Sequence, residues 1–159
     1  MRYIMREQIF ALGDDFTVTD DQGRDRFIVD GKVFSFGHKL IMRDMSGNEM
    51  ATIHQHLLSL RPSYAITRGG TEIGEVSKKL LTILHERFTV DIPGPDDLDV
   101  TGDILDHEYT FTRRGQIVAQ VSKAWVVLRD TYGVEVAAGE DDVLILASAV
   151  VIDLVNEGA

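Results

Sequence analysis

Hydrophobic and polar positions alternate in short runs along most of this chain. Every second residue stands out in Leu84, Glu86, Phe88, Val90 and Ile92, and again in His107, Tyr109 and Phe111. That is the period of a strand with one face turned inward. The runs are separated by frequent turn signals: Asp20-Asp21-Gln22-Gly23, Asp30-Gly31, Ser46-Gly47-Asn48, Arg68-Gly69-Gly70, Pro93-Gly94-Pro95, Arg113-Arg114-Gly115 and Ala138-Gly139. Between them the pattern predicts strands over Phe16–Thr19, Arg26–Val29, Lys32–Phe36, Lys39–Arg43, Glu49–His54, Ser63–Thr67 and Glu72–Ser77. It predicts further strands over Thr82–Ile92, Leu98–Thr101, His107–Thr112, Gln116–Leu128 and Tyr132–Val136. Many short strands at close turn spacing indicate an all-β barrel or sandwich built as a meander.

The C-terminal segment breaks this rhythm. Glu140-Asp141-Asp142 places acids where a helix N-terminus favours them. A run from Val143 to Val155 follows in which only Ser148 and Asp153 are polar. The spacing predicts a helix over about 141–156, and a helix that is apolar all round must be buried all round. With about twelve strands over about 10–137 and little other helix, its economical home is the lumen of a closed barrel, which also removes exposed sheet edges. Asp153 is then expected to be paired or to lie near the barrel mouth, because an isolated buried carboxylate costs several kcal/mol.

A short internal repeat fits the same picture. Gly70-Thr71-Glu72-Ile73-Gly74-Glu75-Val76-Ser77-Lys78 aligns with Gly115-Gln116-Ile117-Val118-Ala119-Gln120-Val121-Ser122-Lys123, and more weakly with Gly47 to Gln55. Each copy reads as a turn glycine followed by an outgoing strand, as in a barrel made from two related halves.

Composition narrows the function classes. The chain has 159 residues and 44% hydrophobic residues, enough for one domain with a real core. Its 16 Lys and Arg against 26 Asp and Glu give a net charge of −10, which argues against broad nucleic-acid binding. There is no cysteine, which removes disulfides, cysteine-ligated metals and thiol catalysis. The N-terminus lacks the apolar stretch of a signal peptide, and the run from Val143 to Val155 is shorter than the roughly 20 residues that span a bilayer. A cytoplasmic location is expected.

The repeated lysines are the leading chemical feature. Strand parity puts Lys78 on the face of Gly74 and Val76, and Lys123 on the face of Ala119, Val121 and Trp125. An inward lysine needs a partner or a path to water. Its structural role would be to snorkel or to pair with a buried acid such as Asp153. Its functional role would be a cationic pocket for an anionic headgroup or phosphate, helped by Arg61 and Arg87. Trp125, among Val126, Val127 and Leu128, reads as core.

His54 and His56 share one face of a strand and could engage a divalent metal, but no third ligand stands at a telling distance, so they read as surface histidines and no metal is expected. Asp96-Asp97-Leu98-Asp99 lacks the spaced oxygens and closing Glu of an EF-hand. Phe88 to Thr112 holds seven acids and no Lys or Arg, whereas Arg61 to Arg87 holds five basic residues and three acids, an asymmetry that gives the surface a weak dipole. No serine has nucleophile-elbow glycines and no phosphate-binding glycine pattern occurs.

Several motifs in order resemble the LOR family. They are Phe34-Ser35-Phe36-Gly37-His38-Lys39-Leu40, Asp44-Met45-Ser46-Gly47-Asn48-Glu49, Leu58-Ser59-Leu60 and Ile73-Gly74-Glu75-Val76-Ser77-Lys78-Lys79. Gly102-Asp103 leading to Glu108-Tyr109, Val121-Ser122-Lys123, Asp130-Thr131-Tyr132 and Ile152-Asp153 continue the likeness, which starts at Phe10-Ala11-Leu12-Gly13-Asp14. The resemblance implies one domain over 1–159, with the fold of the Tubby C-terminal domain and the phospholipid scramblases. That fold is a twelve-stranded barrel around a central hydrophobic C-terminal helix. Tubby domains bind phosphoinositides through basic residues near the barrel, and scramblases act at membranes with calcium; no Tubby basic motif matches positions here.

The expected function is therefore a non-enzymatic binding or scaffold module that uses the barrel rim or outer wall. A membrane-lipid headgroup or other anionic ligand would meet Lys78, Lys79, Lys123 and Arg61, with the protein peripheral to the membrane; a protein partner is the other version. No cofactor and no nucleic acid are expected. The alternative is a hydrolase-type enzyme at the barrel rim, for which His85, His107 and Glu108 are the candidate groups.

Overall fold

A computed structural model describes residues 1–10, 13–34, 37–79, 86–126 and 130–156. The strands are β1 (Arg2–Phe10), β2 (Gly13–Asp20), β3 (Asp25–Phe34), β4 (Gly37–Asp44), β5 (Glu49–Gln55) and β6 (Ser63–Arg68). They continue with β7 (Thr71–Lys78), β8 (Phe88–Asp91), β9 (Leu98–Asp103), β10 (Glu108–Arg113), β11 (Gln116–Ser122) and β12 (Thr131–Val136), and one helix, α1 (Asp142–Asn156), ends the chain. Each strand pairs antiparallel with its neighbours in sequence, and β1 pairs with β12 to close the barrel.

The alternation does what its period requires. Tyr3 and Met5, Phe16 and Val18, Phe27 and Val29, Leu40 and Met42, and Ala51 and Ile53 all turn into the lumen. There they meet α1, whose residues Val143 to Val155 are all buried. A helix of this length rises about 22 Å, so it plugs the barrel from end to end. Gly74 on β7 lets it approach closely: a Cβ there would lie 2.8 Å from Leu144 Cδ1. Ser148, the polar residue in mid-helix, donates its hydroxyl back to the Leu144 carbonyl at 2.7 Å, so its burial leaves no unmet donor.

The three acids at the head of α1 bind it to the wall. Asp141 is the N-cap: its Oδ1 accepts from the Leu144 amide at 3.2 Å, and its carbonyl accepts from the Ile145 amide at 3.1 Å. Its carboxylate also takes two guanidinium hydrogen bonds from Arg68 at the end of β6, at 2.8 and 3.0 Å. Glu140 pairs with Arg113 at the end of β10, and Asp142 accepts from the Tyr3 hydroxyl on β1. Burial pushes the Asp141 carboxyl up, but Arg68 and the Leu144 amide outweigh it and leave its pKa below the ordinary carboxylate value.

The repeat is a hairpin device. Gly47, Gly70 and Gly115 occupy left-handed turn positions with φ of 86°, 80° and 77°, where a side chain is strained. In each hairpin the register shifts by one residue beside the turn, at Met42/Arg43, Ile66/Thr67 and Phe111/Thr112. Each copy is thus a tight turn plus a β-bulge.

Four expectations differ from the structure. β1 lies ahead of the predicted strand region. The Asp30-Gly31 pair is not a turn: β3 runs through it, in continuous register with Ile41 and Leu40 of β4, and Asp30 accepts from Arg43 at 3.1 Å. One strand missed and one strand split leave the predicted number unchanged. β8 and β11 are shorter than the predicted Thr82–Ile92 and Gln116–Leu128; residues 80–85 and 127–129 lie outside the described residues. Trp125 is half-buried outside the barrel. It covers Gly133, whose Cβ would meet its ring at 2.7 Å, and the Arg2 guanidinium stacks 4.4 Å from the ring centroid. The lumen is filled by α1, so a tryptophan from the β11–β12 connection packs on the outer wall.

Two outcomes follow for stability. Ile152→Ala is expected to cost about 2–5 kcal/mol in urea unfolding, the range for a truncated buried isoleucine; a loss under about 0.5 kcal/mol, the size of a surface substitution, would contradict the central helix. A carboxyl with a lowered folded pKa contributes stability above its unfolded value, near 3.9, and loses it as pH falls through the folded value. Asp141→Asn should therefore narrow the difference in urea midpoint between pH 6 and pH 3, and an unchanged acid limb would remove Asp141 from that account.

Candidate functional site

In an up-and-down barrel the connections fall into two sets at opposite ends. Connections 21–24, 45–48, 69–70, 92–97, 114–115 and 137–141 share the end where α1 begins. They are short, and the two aspartates Asp20 and Asp44 tie their turns in the same way. Asp20 Oδ1 accepts from the Gln22 and Arg24 amides, and Asp44 Oδ1 from the Ser46 and Asn48 amides, all at 2.9 Å. These bonds, from the Arg24 amide first for Asp20 and from the Asn48 side chain first for Asp44, hold both carboxyls below their usual pKa.

The opposite end carries the three longest connections, 56–62, 79–87 and 123–130, together with the four-residue connection 104–107. The C-terminal turn of α1 is fastened here by a buried polar cluster. Asp153 Oδ2 accepts from the Tyr132 hydroxyl at 2.5 Å, and His107 Nε2 lies 2.8 Å from Asp153 Oδ1. His107 stacks on Tyr132 with ring centroids 4.5 Å apart and holds a left-handed backbone, φ 54°, unusual for a residue with a side chain. Burial first, and then the Asp153 charge, push the Tyr109 and Tyr132 phenols well above their ordinary pKa. Asp153 is thus paired at the barrel mouth, and its partners are a histidine and a tyrosine, not a lysine.

The four exposed leucines of the described chain all sit on connections at this end. Leu57, Leu58 and Leu60 lie between β5 and β6, Leu105 lies between β9 and β10, and Leu58 and Leu60 are 101% and 96% exposed. Among the described residues these connections hold four basic side chains (Arg61, Lys79, Arg87 and Lys123) and three acids (Glu86, Asp106 and Asp130). The connections at the other end hold two basic residues, Arg24 and Arg114, and five acids.

The predicted cations are distributed along this rim. Lys78, at the tip of β7, is half-buried, and its Nζ meets Glu86 Oε1 at 2.8 Å. Its amide donates to the Pro62 carbonyl at 3.1 Å, which brings Arg61 next to it along the chain. Lys79 lies 3.6 Å from Asp99. Lys123 does not face inward as parity suggests: β11 ends at Ser122, and Lys123 is an exposed loop residue. Lys78 ends β7 and Lys123 follows β11, strands four apart around the barrel, roughly 19 Å along a sheet with strands about 4.8 Å apart. Arg61 and Lys123 form no ion pair with a described residue. An open cleft of about 640 Å³ lies on this rim, lined by Arg87, Glu86, Thr101, Gly102, Asp103, Ile104 and Leu105.

Of the groups expected for an enzyme, His85 lies outside the described residues. His107 is engaged with Asp153 and is absent from the cleft lining. Glu108 fastens the end of β11 by accepting from Ser122 Oγ at 3.0 Å and from the Lys123 amide at 2.9 Å. His54 and His56 both point outward, as expected for surface histidines.

The fold is a closed antiparallel barrel whose lumen is filled by its own apolar C-terminal helix. The chain belongs to the LURP-one-related (LOR) family, whose model matches residues 1–153. It is 33% identical to the uncharacterized protein YxjI of Bacillus subtilis (strain 168) over 151 residues, 95% of this chain and 91% of that protein. Its fold is similar to the X-ray structure of a protein from Arabidopsis thaliana, with a TM-score of 0.68 at 22% identity, covering 98% of this chain and 91% of the other.

The Asp153 cluster has a direct check. Tyr132→Phe removes one hydroxyl and leaves a buried carboxylate oxygen without its donor, so urea unfolding should show a loss of about 1–3 kcal/mol. An effect below about 0.5 kcal/mol would mean that the cluster does not hold the helix end.

Proposed function

We propose that this protein is a non-enzymatic binding module that docks on an anionic membrane surface, peripherally and from the cytoplasmic side, through the long-connection end of the barrel. The observation that carries this reading is the concentration of the four exposed leucines on that end, among Arg61, Lys79, Arg87 and Lys123. Leu58 and Leu60 are wholly in solvent, with Leu57 beside them and Leu105 further along the same rim, and exposed leucines gathered at one end of a barrel are costly in water unless something covers them. Apolar side chains flanked by cations suit a bilayer interface, where the leucines enter the acyl boundary and the cations meet headgroups. No helix among the described residues is long and apolar enough to cross a membrane, so the attachment proposed is peripheral.

Two further features support a surface and not a single headgroup pocket. Lys78 and Lys79 are already matched to Glu86 and Asp99, and Lys123 follows a strand four away from β7, roughly 19 Å at about 4.8 Å per strand, so it does not converge with Arg61 on one phosphate. The net charge of −10 does not oppose this geometry. The acids at the other end lie about a helix length away, roughly 22 Å, and the screening length at physiological salt is about 8 Å.

Co-sedimentation with liposomes tests the reading. Vesicles of phosphatidylcholine with phosphatidylserine or a phosphoinositide should bind the protein saturably at physiological salt, and pure phosphatidylcholine vesicles should bind it less. Leu58→Glu/Leu60→Glu should abolish binding without changing the melting temperature, because both side chains are in solvent. Arg61→Ala/Lys123→Ala should weaken it by about 2 kcal/mol, at about 1 kcal/mol per basic residue. Absence of binding to anionic vesicles, or binding unaffected by the leucine variant, would overturn the proposal in favour of a protein partner.

A further inference from the structure

The outer wall over β5, β6 and β7 brings together the imidazole of His56 and the carboxylates of Glu72 and Glu75, which come from two separate segments of the chain. In a regular strand, residues three apart face opposite sides, so Glu72 and Glu75 should not meet. The bulge in β7 changes this. Ala65 pairs with Glu75, Ile66 with Gly74 and Thr67 with Glu72, and Ile73 is passed over. Both glutamates therefore lie on the outer face. His56 follows β5 directly, and its amide donates to the Ser63 carbonyl at 2.9 Å, which fixes it beside β6. A ring nitrogen of His56 and one oxygen of each glutamate all lie within 4.8 Å of one another, with His56 Nε2 4.0 Å from Glu75 Oε2.

We propose that His56, Glu72 and Glu75 form a surface site for a divalent transition-metal ion of the zinc type. A neutral imidazole and two carboxylates are the nitrogen and oxygen donors such ions accept, and three protein ligands leave the fourth tetrahedral position open. Calcium and magnesium are poorer matches, since they prefer fuller oxygen shells. The two negative charges balance a divalent ion, and among the described residues no lysine or arginine forms an ion pair with either glutamate. Glu75 is also pre-oriented. Its Oε1 accepts from Ser63 Oγ at 2.8 Å, so Oε2 is left toward His56, and an outer hydrogen bond of this kind aims a ligand at its metal. An open depression of about 620 Å³ beside His56, Ser63 and Glu75 gives an ion access. None of its three ligands is a leucine or cation of the rim, but Leu57 and Leu58 line the same depression, so Zn²⁺ binding is measured without vesicles and stands or falls separately from the membrane reading.

Isothermal titration of tag-free protein with Zn²⁺ tests it. One ion per chain should bind saturably, and His56→Ala, Glu72→Gln and Glu75→Gln should each weaken binding at least about tenfold, with Ser63→Ala weakening it less. His54→Ala, which removes the neighbouring imidazole outside the set, should leave affinity unchanged. His54, His56 and Glu72 are exposed and Glu75 is half-buried on the outer wall, so the far-UV circular dichroism and metal-free melting temperature of their variants should stay as in the parent chain. Ser63 is buried against Glu75 and Ser77, so Ser63→Ala is titrated only where circular dichroism shows it folded. Lack of saturable one-to-one Zn²⁺ binding, or unchanged affinity in His56→Ala, would overturn the assignment. Equal losses from His54→Ala and His56→Ala without loss from the glutamate variants would move the site to the histidine pair and overturn it as stated.

Discussion

A helix with no polar face has to be surrounded on every side, and the architecture follows from that one constraint. The thirteen consecutive buried positions from Val143 to Val155 cannot rest on an open sheet, because half of them would face water. A sheet closed on itself removes that half and its own unpaired edges together. The pairing of β1 with β12 is therefore as necessary to the helix as the helix is to the lumen. Inside such a barrel few polar groups survive: Ser148 bonds a carbonyl one turn back and Asp153 bonds Tyr132 and His107, while the buried Tyr109 hydroxyl has no hydrogen-bond partner among the described residues.

The two ends of the barrel divide the remaining work. The end with short connections is held by Asp20 and Asp44 in their turns and by Arg68, Arg113 and Tyr3 on the acids of the helix head. Asp141 also caps the Leu144 amide, which the helix leaves unpaired, and the three acids place negative charge at its positive end. The other end needs one internal fastening, the Asp153 cluster, and its longer connections are free to carry exposed leucines and cations. With the lumen filled, the rim and the outer wall are the surfaces open to solvent.

The fold was legible because its signals are long and redundant. Alternation, turn glycines and one continuous apolar run each point to the barrel and its plug. The errors have specific causes. Asp30-Gly31 carries turn chemistry, but the paired register of β3 and β4 overrides it. β1 begins at Arg2, where a sequence carries too few flanking signals to mark a strand, although the inward Tyr3 and Met5 were there to read. Lys123 was placed by extending strand parity one residue beyond Ser122, where the strand stops. Trp125 was assigned to the core on its apolar neighbours, when the helix already fills that space. The cations at the rim were legible one by one. Their spacing around the barrel was not, because strand order sets it and no local motif encodes it.

The bulges carry an argument of their own. Each repeated hairpin inserts a residue beside its turn, and the twist this adds helps a sheet close. The same insertion resets which side chains share a face. In β7 it converts a spacing of three, which separates Glu72 from Glu75 in a flat strand, into a shared outward row beside His56. In β11 the corresponding positions are Ile117 and Gln120, so the same geometry there presents no donors. A barrel that must bulge to close around its helix thus creates paired outward positions at every such hairpin, and the residues placed there change the chemistry of the wall without disturbing a single contact in the core.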